Sequence, residues 1–172
     1  MFAPASYITR QDKNKETLQI EYEKLEFQLL RMQENLKQIA KKWSILGIEQ
    51  TKLGKWTIIY ASDNGEVCKI MAHDCETPFN GTWDFSIHAS YKEDFHIQID
   101  DIRGEQNQGF GSVCMSYFKQ YIEEQNMRKI SGYISPRDWD HLERLLHFYK
   151  KHDFTVSVDY ENQQGTIDWQ PF

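Results

Sequence analysis

Residues 106–111, Gln-Asn-Gln-Gly-Phe-Gly, limit what this chain can build more than any other stretch. An alternating, strand-like run from Phe95 to Ile102 leads into them, and a helix-like run from Ser112 to Gln125 leads out. A strand, a glycine turn and a helix start, in that order, gather backbone N–H groups around one point and favour an anion there. Gly109 and Gly111 lack Cβ, so the main chain can take positive φ and be approached closely. The helix dipole adds about 0.3–1 kcal/mol for a nearby negative charge. A phosphorylated cofactor is therefore expected. The loop is not a Walker loop, because Ser112 and Val113 follow Gly111 where Lys-Ser/Thr would be needed. Nor is it a dinucleotide fingerprint, because position 114 is Cys114 and not glycine.

The form Gln-x-x-Gly-x-Gly resembles the acetyl-CoA motif of the GCN5-related N-acetyltransferase (GNAT) family, and a second motif follows in the right order. Lys129–Ile134 alternates like a strand, and Ser135-Pro136-Arg137-Asp138 reads as a capped helix start. Trp139, Leu142, Leu145, Leu146 and Tyr149 then mark an apolar helix face. That helix ends in His147-Phe148-Tyr149-Lys150-Lys151-His152-Asp153-Phe154, similar to the family's aromatic-Tyr-x-Lys-x-Gly-Phe run. The resemblance covers about residues 55–170. The chain departs from the pattern at Asp153, where the family usually has glycine, and in lacking a clear counterpart of an asparagine near Leu142. Asp accepts left-handed φ better than most residues, so the turn at Asp153 is expected to form.

The resemblance implies an acetyl-CoA-dependent N-acetyltransferase acting by direct attack of a primary amine on the thioester. Gln106, Asn107, Gln108, Gly109, Phe110, Gly111 and Ser112 would hold the pyrophosphate. Main-chain groups of Asp101 and Ile102 would pair with the pantetheine arm. Tyr149 would protonate the departing sulfur. His96, on the strand before the loop with Gln98 and Asp100, is the candidate base because histidine titrates near neutral pH; Asp84 and His88 are weaker candidates, and water is another. The acceptor is a small-molecule or peptide amine. The alternative is a non-catalytic CoA-binding or regulatory module that dimerises through the N-terminal helix.

That helix is announced by Leu18, Tyr22, Leu25, Leu29, Met32, Leu36, Ile39 and Trp43, spaced 4, 3, 4, 3, 4, 3 and 4. Such a seam predicts a helix over about residues 14–46, roughly 50 Å long, capped by Asp12 or Asn14 and stopped by Gly47. Ile20, Phe27 and Leu30 form a second stripe on another face. With two apolar faces the helix is expected to touch its own domain with one and a second copy of the chain with the other. From Lys55 the period becomes two: Trp56–Ala61 and Glu66–His73 flank the hairpin turn Asp63-Asn64-Gly65, and Gly81–Ala89 follows. Phe154–Val158 and Thr166–Trp169 form a last hairpin. The expected fold is an α/β protein with a mixed sheet of about seven strands, GNAT-like, with flanking helices. Its parts are a flexible N-terminus (1–13), the heptad helix (14–47) and the acetyltransferase domain (55–172).

Composition narrows the setting. The net charge of −6, with no dense Lys/Arg run, argues against nucleic-acid binding. Cys68, Cys75 and Cys114 are an odd number without CxxC spacing, so no disulfide scaffold is expected and a cytoplasmic location is the simplest. Cys68, His73, Asp74 and Cys75 lack a second chelating pair, so no metal site is expected. No apolar run reaches membrane-spanning length.

Overall fold

A computed structural model describes residues 14–171; the expected flexible N-terminus, residues 1–13, lies outside them. Asn14 caps the first helix, its Oδ1 accepting from the Thr17 N–H at 2.8 Å, and α1 runs over Lys15–Ala40. It is shorter than the seam predicts. Trp43 keeps the heptad spacing, but the chain has already left the helix at Lys41 and Lys42, and Gly47 stops nothing. Instead Ile45, Leu46 and Ile48 belong to a strand, β1 (Ser44–Gln50), so the sheet has eight strands rather than about seven.

The remaining elements follow the expected order. They are β2 (Trp56–Asp63), β3 (Val67–Asp74), β4 (Phe85–Lys92), β5 (His96–Gly104), α2 (Phe110–Glu124) and β6 (Lys129–Ile134). A 3-10 turn (Pro136–His141), α3 (Leu142–Lys151), β7 (Thr155–Asp159) and β8 (Gln164–Trp169) complete them. Asp63 and Asn64 close the β2–β3 hairpin through their side chains, and Gly65 takes φ +83. Strand β4 starts at Phe85, four residues later than Gly81. The stretch before it is drawn out of the sheet by α1: the Asn35 side chain donates to the Thr77 carbonyl and accepts from the Phe79 N–H.

The strand order is β1-β2-β3-β4-β5-β6-β8-β7, antiparallel throughout except for the β5–β6 pair. Helices α2 and α3 cover one face with Phe110, Met115, Phe118, Ile122, Leu146 and Tyr149 against Ile59, Ile70, Ile87, Ile97 and Ile130. On the opposite face, the C-terminal half of α1 sets Met32, Leu36 and Ile39 on Ile58, Tyr60 and Met71. Burying those aliphatic side chains contributes roughly 1.5–3 kcal/mol each. Among the described residues the N-terminal half of the same seam is left uncovered: Leu18, Tyr22, Leu25 and Leu29 are exposed, as are Ile20, Phe27 and Leu30 of the second stripe. Cys68 and Cys75 point to opposite faces of the sheet and do not converge on a common point.

Candidate functional site

The site is built where β5 and β6 part. Their parallel ladder runs only from His96–Lys129 to Ile99–Gly132, although β5 continues to Gly104 and β6 to Ile134. A bulge causes the parting. His88 pairs with Asp101 and Ala89 with Ile99, so Asp100 is the extra residue, and β5 bends there. Beyond the bulge the edge of β5 that faced β6 has no strand partner among the described residues.

The parted strands open into a cavity of about 260 Å³ at the N-terminus of α2. Gln106, Asn107, Gly109, Gly111 and Ser112, anticipated from the loop motif, line it, with Ile102, which the resemblance assigned to the pantetheine arm. Gly109 stands at the helix N-cap with φ +86 and no side-chain cap, leaving the first-turn N–H groups to a ligand. Gly111 lies against the Phe85 and Phe148 rings, where an added Cβ would come within 3.2 Å of each. Asp101, Gln108, Phe110 and Tyr149 do not line the cavity; Phe110 is buried in the core and anchors the loop from beneath.

The cavity's charge was not legible from the loop motif. Lys52 from the β1–β2 turn, Arg103, Arg144, His147 and Lys151 surround it, with Glu105 the one carboxylate among the described residues of its lining. Arg144 bonds to Gln106, and Lys151 Nζ donates to Ser112 Oγ at 2.9 Å, so both cations are tied to the loop they would share with an anion. Arg144, His147, Phe148 and Lys151 recur at helical spacing on α3, so the periodicity of that helix does carry a signal for its basic face. Lys52 comes from the far side of the sheet and had no local signal. Gly104, with φ +136, is equally silent in the sequence; a Cβ there would lie 2.6 Å from Phe85 Cα.

Tyr149 lies on the inner face of α3, buried, with its ring 5.4 Å from that of Phe154 and 5.5 Å from that of Phe148. Burial, reinforced by the Asp138 and Asp101 carboxylates, holds its phenol above the ordinary tyrosine range, so it stays protonated. The turn into β7 forms as expected, Asp153 taking φ +62. Asp101 is gripped by Arg103 Nε at 2.6 Å, with Arg137 NH2 3.7 Å away. His96 is set apart from this assembly. It starts β5 inside the paired stretch, its Nε2 2.6 Å from Ser131 Oγ. Five residues separate it from Asp101, roughly 16 Å of strand. Burial, with Lys129 next, lowers its pKa.

No protein-family model matches the chain. It is 47% identical over 162 residues to the uncharacterized protein YocC of Bacillus subtilis (strain 168), across 94% of this chain and 98% of that one. The chain belongs to the same family as YocC. Among solved structures it is similar to the GNAT domain of S. lividans PAT, with a TM-score of 0.56 at 7% identity, covering 77% of this chain and 98% of that one. It is also similar to a cAMP-binding acyltransferase from Mycobacterium smegmatis, with a TM-score of 0.57 at 9% identity over 80% of this chain and 51% of that one. The fold is that of the GNAT proteins.

Proposed function

We propose that this member of the YocC family is an acyl-CoA-dependent N-acyltransferase that moves an acetyl group from acetyl-CoA to a primary amine. The observation that carries the reading is the parting of β5 and β6 onto a cation-lined cavity at an uncapped helix start. A chain of net charge −6 that gathers Lys52, Arg103, Arg144 and Lys151 around one cleft is suited there to a polyanion. The pyrophosphate would rest on the N–H groups of Gly109–Ser112. The free edge of β5 at Asp101 and Ile102 would pair with the amides of the pantetheine arm as an added strand. Acetyl-CoA is here a substrate; it supplies the thioester. Tyr149, neutral and close to the charge of Asp101, would give its proton to the sulfur as the C–S bond breaks.

Calorimetric titration with acetyl-CoA tests the reading, followed by thiol release over a panel of amines. Binding with turnover is expected; no binding would overturn it. Arg144→Ala and Lys151→Ala should each weaken acetyl-CoA about tenfold, the worth of one charge-assisted hydrogen bond. Tyr149→Phe should lower turnover with affinity nearly intact.

A second reading has its own observation. Seven large apolar side chains stand exposed on α1 between Leu18 and Leu30, Tyr22 at 62% and Leu25 at 66%. Monomers rarely expose contiguous apolar patches beyond about 300–600 Å², and a heptad seam left uncovered is suited to the same seam of another helix. We therefore propose a second copy of the chain as its cover. In the module reading that dimer, not acetyl transfer, would be the protein's task, and acetyl-CoA would bind without turnover on any amine.

A further inference from the structure

The parting of the strands opens on two sides. On the helix side lies the cation-lined cavity. On the other side α1 stops over β2 and β3, and the floor beyond it is polar. Ser86, His88 and Ser90 project there from β4, because Phe85, Ile87 and Ala89 point the opposite way into the core. The bulge turns two successive carboxylates onto this floor. Asp100 accepts from Ser90 Oγ at 2.7 Å and from Gln98 Nε2 at 3.2 Å, and Asp101 pairs in register with His88.

We propose that this floor is the acceptor site, and that His88 is the catalytic residue that takes the proton from the attacking amine. The inference rests on the acyltransferase reading above. Three features set His88 apart. Its position opposite Asp101 places it across from the first residues beyond the last β5–β6 pair, where a thioester laid along the free edge of β5 would end. Its ring is held: Nε2 is 3.0 Å from the hydroxyl of fully buried Ser86, and Trp83 stands edge-on at 6.0 Å. That leaves Nδ1 for the acceptor among the described residues. Asp100 beside it would draw an amine in its ammonium form, Asp101 being held already by Arg103.

The charges around His88 are mixed. Lys69 on β3 lies opposite it in register, and Arg103 is nearby on β5, against Asp101 and Asp100. Burial first, then Lys69 and Arg103, hold its pKa below the ordinary histidine value despite the two carboxylates. The ring is thus neutral near pH 7 and able to accept a proton.

The step balances. The ammonium first gives one proton to solvent; the neutral amine nitrogen then bonds to the carbonyl carbon, the C–S bond breaks, the remaining surplus N–H proton passes to His88, and the thiolate takes the phenol proton of Tyr149. The products are an amide and free CoA thiol; solvent then takes the proton from His88 and restores that of Tyr149. Acid and base stand on opposite faces of the sheet, so neither quenches the other.

The test compares wild type with His88→Gln. Acetyl-CoA affinity is measured by calorimetry, and thiol release with 1,4-diaminobutane, tyramine, lysine amide and kanamycin. Both proteins should bind acetyl-CoA within about twofold of each other, because His88 lies across the sheet from the cavity. With any amine that wild type acetylates, His88→Gln should lose about 100-fold in kcat/KM, the usual worth of a positioned base. It should also lose the acid-side limb of the pH profile, and added imidazole should restore part of the rate. Equal kcat/KM with the same pH limb in both proteins would overturn the role of His88 alone. Wild-type protein that fails to bind acetyl-CoA, or releases no thiol with any of the four amines, would overturn the acyltransferase reading and this inference with it.

Discussion

Burial of His152 at the end of α3 ties folding to pH. Among the described residues its Nε2 has no hydrogen-bond partner, and burial with Lys119 and Lys151 nearby pushes its pKa down to about 4. The unfolded chain takes that proton near pH 6.5, so between pH 6.5 and 4 unfolding binds more protons and stability falls as pH falls. The loss should be on the order of 1–2 kcal/mol. Urea unfolding at pH 7 and 4.5 should show it, and His152→Phe, packing on Phe148, should flatten that part of the profile. Gly104→Ala should cost more than about 1 kcal/mol at any pH, since φ +136 and the neighbouring Phe85 backbone both resist a side chain; a denaturation midpoint near wild type would contradict this. At this scale the sequence was a partial guide. The left-handed turn at Asp153 and the glycines of the loop could be read from local chemistry. Gly104 could not, because its restriction comes from a neighbouring strand, and neither could the place of Lys52 beside the cavity.

Among the elements, α1 is the one the sequence described best and placed least. Its heptad spacing is correct, but periodicity carries no mark of where a helix gives way, and Trp43 satisfied the seam from outside it. Strand β1 was hidden in that overrun. Its Gly47 lies against α2, where an added Cβ would come within 2.8 Å of the Tyr117 ring, a long-range reason for glycine that mimics a helix stop. The two halves of α1 should respond differently to substitution. Ile39→Ala, in the packed half, should cost about 2–5 kcal/mol in urea unfolding. Leu25→Glu, in the exposed half, should leave the unfolding of a dilute sample near wild type and shift a dimer to monomer in sedimentation equilibrium. A wild-type protein that sediments as a monomer at high concentration would refute the second-copy cover.

For the molecule as a whole, the alternating runs and the two loop motifs made the sheet and the cleft legible. They did not show that the β5–β6 ladder ends after four pairs, because a bulge is a mismatch between two strands and neither strand carries it alone. Charge is legible only in part: the spacing of α3 marks its basic face, but nothing local gathers Lys52 and Arg103 beside it in a chain acidic overall. Acetyl-CoA affinity should therefore fall as salt rises, and most steeply while Arg144 and Lys151 are both present. Calorimetry at low and high salt, on wild type and the double alanine variant, reads this directly.

Asn35 has a consequence for anyone wishing to shorten this protein. Its amide is the hinge pin between α1 and the segment that leads into β4, gripping Thr77 and Phe79 from 42 and 44 positions away. Cutting away residues before Ser44 would not release a smaller stable domain. It would uncover Ile58, Tyr60 and Met71 to water, take from the Phe79 N–H its acceptor, and leave the Thr77 carbonyl with His73 Nε2 at 3.2 Å. The roof and the room were made together.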